Sequence, residues 1–139
     1  QRELIEPALH GTRNALNAVA SFGGKIKRVV LTSSVAAIRG SGTPLNGNPS
    51  TQPFLKRNNH HPDPTSGQFY TEEDWNVTST INDAGFGPYM LSKTLAEREA
   101  WKLAQEHHFD LVVINPSLIL GPPRSRRPEG VSISLMTQW

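Results

Sequence analysis

Apolar residues between positions 3 and 22 recur at Ile5, Ala8, Leu9, Thr12 (by its methyl), Ala15, Leu16, Val19 and Ala20. That is the three-, four- and seven-residue spacing of one buried helical stripe. Pro7 is tolerated if it lies in the first turn, and Gly23-Gly24 is the expected stop, because glycine takes the left-handed cap conformation at little cost. The stripe is a core face or a dimer surface, so a homodimer is one expected assembly. Val29-Val30-Leu31-Thr32-Ser33 follows as a short β-branched run without alternation, the pattern of a strand covered on both faces. A second helix is predicted from about Pro88 to about His107, with Tyr89, Lys93, Ala96, Ala100, Leu103 and Ala104 on one face. Asp110-Leu111-Val112-Val113-Ile114-Asn115 then reads as a second buried strand.

Between these elements the pattern breaks. Residues 40–69 hold Gly40, Gly42, Pro44, Gly47, Pro49, Pro53, Pro62, Pro64 and Gly67 among many Asn and Ser. This is the composition of a loop insertion, long for a compact domain and therefore functional or poorly ordered. Another loop opens at Pro116 and continues through Gly121-Pro122-Pro123, and a further helix is expected to begin near Val131. The order helix, strand, crossover with helix, strand predicts an α/β fold with a parallel sheet. No Gly-x-Gly-x-x-Gly phosphate-binding turn occurs. The chain opens inside a helical pattern, so it is expected to be part of something longer.

Composition narrows the chemistry. The 139 residues carry 14 Lys plus Arg against 12 Asp plus Glu, a net charge of +2. No basic run is long enough to make nucleic acid the expected partner, and Arg124, Arg126 and Arg127 read as a solvated loop. There is no cysteine, which excludes disulfides, thiolate catalysis and Cys-based zinc sites and is compatible with the cytoplasm. No apolar stretch approaches the ~20 residues of a membrane span. His60-His61 and His107-His108 lack metal-ligand spacing, so no metal is expected. Glu72, Glu73 and Asp74 read as a solvated acidic turn, and Trp75 as an anchor of that loop against the domain. Asn76-Val77-Thr78 fits a glycosylation sequon without other signs of secretion.

Tyr89-Met90-Leu91-Ser92-Lys93 puts a phenol and an ammonium on one helical face, one turn apart. A nearby cation favours the phenolate, so such a pair can donate or accept a proton near neutral pH. The first strand ends in Thr32-Ser33-Ser34-Val35 and the second in Asn115-Pro116-Ser117-Leu118. Ligands of open parallel sheets bind at the carboxyl ends of strands. A serine there could hold a substrate oxygen beside the tyrosine, or the hydroxyls could simply satisfy backbone groups at a strand-to-loop junction.

The set RVVLTSS, YTEEDWN, PYMLSKTLAE and INPSLILGP, with the opening IEPALHGTRNALNAV, resembles the extended short-chain dehydrogenase/reductases of the NAD-dependent epimerase/dehydratase superfamily. Within them it is similar to the dihydroflavonol-reductase and cinnamoyl-CoA-reductase-like branch. The resemblance covers most of residues 3–122 outside roughly 40–69. It implies part of a Rossmann-like, doubly wound parallel sheet that lacks its N-terminal glycine-rich half. Residues 1–139 would then be the central, catalytic segment of one NAD(P)-binding domain. It further implies Ser34 as the substrate-orienting serine, with Ser33 as the near alternative, and Tyr89 as general acid. Lys93 would hold the nicotinamide ribose and make the phenol more acidic. Thr32, Ser33 and the stretch Pro116, Ser117, Leu118 would line the cofactor. The implied activity is reduction of a small-molecule carbonyl to an alcohol with NADP(H), NAD remaining open. The alternatives are a sugar-nucleotide epimerase or dehydratase using NAD, and a non-catalytic cofactor-binding fragment. Neither Pro7 nor Ala8 is the Asn that many extended members carry in this helix.

Overall fold

The computed structural model describes residues 2–40 and 70–121. Helix α1 spans Arg2–Ser21, strand β1 Arg28–Thr32, helix α2 Gly87–His107 and strand β2 Asp110–Ile114, with a short 3-10 turn at Val35–Ala37 after β1. Residues 41–69, which hold nearly all of the expected insertion and His60-His61, lie outside the described residues, as do Arg124, Arg126, Arg127 and the expected helix near Val131.

The helices end where their sequence stops them. α1 runs into Gly23 and Gly24, both left-handed at φ 59° and 79°. α2 carries Pro88 in its first turn and closes on His108, a left-handed cap whose N–H bonds the Ala104 carbonyl. Pro7 departs from expectation, because it sits inside α1, beyond the first turn. Its missing N–H would have served the carbonyl of Glu3, an exposed residue where water can replace it.

β1 and β2 pair in parallel, from Arg28 opposite Asp110 to Thr32 opposite Ile114. Leu16 of α1 meets Ala100, Leu103 and Ala104 of α2 and Leu111 of β2 in the core, with Val19, Val29, Leu31, Phe109 and Val113 packed around them. Of the apolar stripe of α1, Leu16 and Val19 thus face the core, whereas Ala15 is exposed. The strand residues of that core (Val29, Leu31, Leu111 and Val113) all lie on one side of the sheet, because side chains alternate along a strand. Both helices thus cover the same face. The opposite face is open among the described residues, with Val30 58%, Val112 38% and Ile114 53% exposed. Among the described residues, then, only one face of the expected two-sided strand pair is covered. The unbroken apolar runs are suited to two-sided burial, but the described elements supply only one helical layer.

Candidate active site

The site is built where the two strands end. Pairing continues beyond the strands, as the Ser33 N–H bonds the Ile114 carbonyl at 2.8 Å and the Val35 N–H bonds the Pro116 carbonyl at 3.0 Å. Ser33, Ser34 and Pro116 are thereby brought side by side. Ser34 is extended (φ −162°, ψ 149°) and caps the 3-10 turn, its Oγ accepting from the Ala36 N–H at 3.2 Å. Capping uses a lone pair of the hydroxyl and not its proton, which remains able to donate. The junction reading and the substrate-orienting reading of Ser34 are compatible for this reason. Thr32 is exposed on the open sheet face, opposite Ile114. Pro116 is half-buried, while Ser117 and Leu118 are exposed as the chain leaves β2.

The turn carrying Ser34 is held from below. Asn76 is 5% exposed. Its Nδ2 donates to the Ala36 carbonyl at 3.1 Å, its Oδ1 accepts from the N–H groups of Thr78 and Ser79, and its own N–H donates to the Ala37 carbonyl. The amide nitrogen of the sequon is therefore engaged inside the protein, which contradicts a glycan-bearing surface Asn. Asp74 is also buried, and accepts from the Thr71 N–H at 2.7 Å and the Thr71 hydroxyl at 3.2 Å. Of the acidic run, Glu72 and Glu73 are solvated as expected, whereas Asp74 closes the turn. Trp75 anchors the segment on α2, the Arg98 guanidinium lying 5.1 Å from a ring centroid.

Tyr89 and Lys93 occupy the first turns of α2, which packs on the Ser34-capped turn. Tyr89 is 39% exposed, and the Lys93 ammonium stands over its ring 5.7 Å from the centroid. The one-turn spacing thus brings cation and phenol together. Burial pushes the phenol of the chain's other tyrosine, Tyr70, above its ordinary value. Arg39 opposes that shift and Asp74 adds to it.

Two residues of this region escaped the sequence reading. Glu97 lies one turn beyond Lys93 and is 6% exposed. Asn115 was legible only as a strand end. Its amide donates to Glu97 Oε2 at 2.7 Å and to the Ser34 carbonyl at 3.0 Å. The signal that could have found Glu97 is a carboxylate in register with the Tyr–Lys pair on an alanine-lined helix face. Both residues line a cleft of about 270 Å³ with Ile38, Thr71, Glu72, Asp74, Trp75 and Trp101. Tyr89 and Lys93 are not part of its lining. Among the described residues no cluster of three potential metal ligands occurs, and no helix is long and apolar enough to cross a membrane.

An NAD-binding family model described as Male sterility protein matches residues 1–137. The chain is 41% identical over 122 residues to cinnamoyl-CoA reductase CAD2 of Medicago truncatula, covering 88% of this chain and 31% of that protein. It is 31% identical over 136 residues to tetraketide alpha-pyrone reductase 2 of Arabidopsis thaliana, covering 98% and 36% respectively. The crystal structure of Gre2 from Candida albicans in complex with NADPH superposes with a TM-score of 0.63 at 33% identity, over 89% of this chain and 32% of that one. The chain therefore spans about a third of the length of the curated relatives it matches. With a parallel strand pair of Rossmann type, a Tyr–Lys helix at its carboxyl end and these relatives, the chain belongs to the NAD-binding family described as Male sterility protein, among the extended short-chain dehydrogenase/reductases.

Proposed function

We propose that the protein bearing this chain is an NADP(H)-dependent reductase of a small carbonyl compound, with Ser34, Tyr89 and Lys93 as its proton-transfer group. The observation that carries the reading is the Lys93 ammonium held over Tyr89, on a helix packed against the Ser34 turn. The relatives support it, since they are named as reductases and a solved one was crystallised with NADPH. Residues 1–139 act as the central segment of one cofactor-binding domain, and residues 40–69 as a loop insertion. The insertion leaves the described chain at Gly40, which is buried against Asn76 and Thr78, close below the Ser34 turn.

The residues present fit the nicotinamide half of a dinucleotide. They offer the carboxyl ends of two parallel strands, an exposed Thr32, an ammonium at the helix start and an exposed Ser117-Leu118 segment. When bound, the reduced nicotinamide supplies the hydride, and the protein's part is orientation and proton supply. Lys93 would hold ribose hydroxyls, while Thr32, Ser33, Pro116, Ser117 and Leu118 would line the ring. The Ser34 hydroxyl would donate to the substrate carbonyl oxygen. Tyr89 would give its proton to that oxygen as it becomes an alcohol, and run the transfer in reverse when the alcohol is oxidised.

The test is NADPH consumption by the full-length polypeptide, followed by absorbance, against aldehydes, ketones and a CoA thioester. Turnover of at least one carbonyl class, faster with NADPH than NADH, is the expected result. Absence of both NADPH binding and consumption refutes the proposal. Tightly retained NAD with no net consumption would instead favour the epimerase or dehydratase alternative.

A further inference from the structure

Ser34 and the Tyr89–Lys93 pair sit on different elements. Ser34 belongs to the turn after β1, while Tyr89 and Lys93 belong to α2. Their separation depends on how deeply α2 sits against the strand ends. One side chain at the end of β2 reaches both sides. The two N–H bonds of the Asn115 amide are divided between the Ser34 carbonyl at 3.0 Å and Glu97 Oε2 at 2.7 Å. Asn115 is itself fixed by the backbone, because the next residue's carbonyl receives the Val35 N–H. Glu97, Asn115 and Ser34 therefore form a strut from the helix, through the second strand, to the serine.

Glu97 is 6% exposed, on a helix whose buried positions on either side are Ser92 and Thr94, then Ala100, Leu103 and Ala104. Taking a carboxyl group out of water costs free energy. For stability alone, apolar side chains of similar volume in place of both Glu97 and Asn115 would serve as well. A buried Glu whose partner is the residue bonded to Ser34 has its explanation in geometry rather than in stability.

Resting on the reading of the site given above, we propose that Glu97 is a positioning residue for proton transfer, which through Asn115 sets the placement of Tyr89 and Lys93 relative to Ser34. It touches no reacting atom. Its loss moves the phenol from the substrate oxygen held by Ser34, while the open surface for the cofactor along Thr32 and Ser117-Leu118 is left in place. A displacement on the order of an ångström at a reacting group can cost a factor of about a hundred in rate.

The experiment compares Glu97→Leu, Glu97→Gln and Tyr89→Phe in the full-length polypeptide, measuring kcat, the NADPH dissociation constant and the thermal midpoint. Glu97→Leu fills the space without an acceptor, and Glu97→Gln keeps an oxygen for Asn115. Expected for Glu97→Leu is a kcat lower by about ten- to a hundredfold with NADPH affinity within about threefold. Glu97→Gln is expected to recover most of that loss. If Glu97→Leu does not fold, Asn115→Ser removes the strut from its other end and must show the same split. A Glu97→Leu enzyme with normal kcat overturns the proposal. So does a Gln variant as impaired as the Leu variant, or parallel loss of turnover and cofactor binding. Tyr89→Phe separates the two levels. An inactive Tyr89→Phe beside a fully active Glu97→Leu defeats the strut alone, whereas a fully active Tyr89→Phe defeats the reading of the site and the strut with it.

Discussion

Truncating Asn76 to Ala tests whether the turn under Ser34 is held by side-chain hydrogen bonds. The native side chain serves the Ala36 carbonyl and the Thr78 and Ser79 N–H groups, at 3.1, 3.2 and 3.0 Å. Ala36 is 5% and Ser79 9% exposed, so water cannot readily replace Asn76 at either place, whereas half-buried Thr78 can recruit it. A buried polar group left unpaired costs about 1–3 kcal/mol, and an exchange with water much less. Two such groups and one exchanged bond sum to roughly 3 kcal/mol. Asn76→Asp keeps both accepted bonds but buries a charge and turns an oxygen toward the Ala36 carbonyl, so it should cost at least as much as Ala. The backbone bond from the Asn76 N–H to the Ala37 carbonyl survives in both variants. Amide hydrogen exchange at Ser79 reads the local opening free energy directly. Both variants are expected to lose protection there relative to wild type. An Ala variant within about 0.5 kcal/mol of wild type refutes this account of the turn.

Leu16→Ala empties the centre of the α1–α2 contact, where Ala100 and Ala104 are too small to refill it, and should cost about 2–5 kcal/mol in denaturant unfolding. A cost below about 1 kcal/mol would contradict the core assignment. Gly40→Ala drives a Cβ into the Thr78 hydroxyl and to 2.6 Å from Asn76 Oδ1, and should lower stability by about 1–3 kcal/mol. Unchanged thermal melting of that variant would show that the segment does not approach as described. Arg13 pairs with Glu99 across the two helices at 2.6 Å. Chiefly through the hydrogen bond from Arg13, the Glu99 carboxyl is held below its ordinary range. The pair's contribution is therefore present above the ordinary carboxylate range and lost as pH falls through the lowered value. The melting difference between wild type and Arg13→Ala should be small at neutral pH, fade in acid and shrink with salt, and a difference independent of both would exclude the pair as its source.

The parts of the fold set by local rules were legible in the sequence. The helical stripe around Leu16, the Gly23-Gly24 stop, the Pro88 start and the one-turn spacing of Tyr89 and Lys93 each depend on neighbours within a few residues. What escaped depends on partners distant in sequence. Nothing near Glu97 in the sequence marks out its partner, and its bond to Asn115 appears only in the fold. Asn76 reads as a surface sequon until it meets Ala36, forty positions earlier. Asp74 looks like one of three equivalent acids, and only its bonds to Thr71 distinguish it. The apolar pattern at Val30 and Ile114 was equally legible, although the described elements cover only the other face. Composition states what a strand is suited to, while the other layers decide what it meets.

The claim on which the functional account rests is that Tyr89 supplies the proton. Turnover of the full-length polypeptide with NADPH and a reducible carbonyl, measured for wild type and Tyr89→Phe, addresses it most directly. Loss of the phenolic proton donor should lower kcat by about 10²–10⁴-fold while NADPH binding stays near its wild-type strength. A phenylalanine variant that reduces the carbonyl as fast as wild type would mean that the proton comes from elsewhere and that the Tyr89–Lys93 pair is structural.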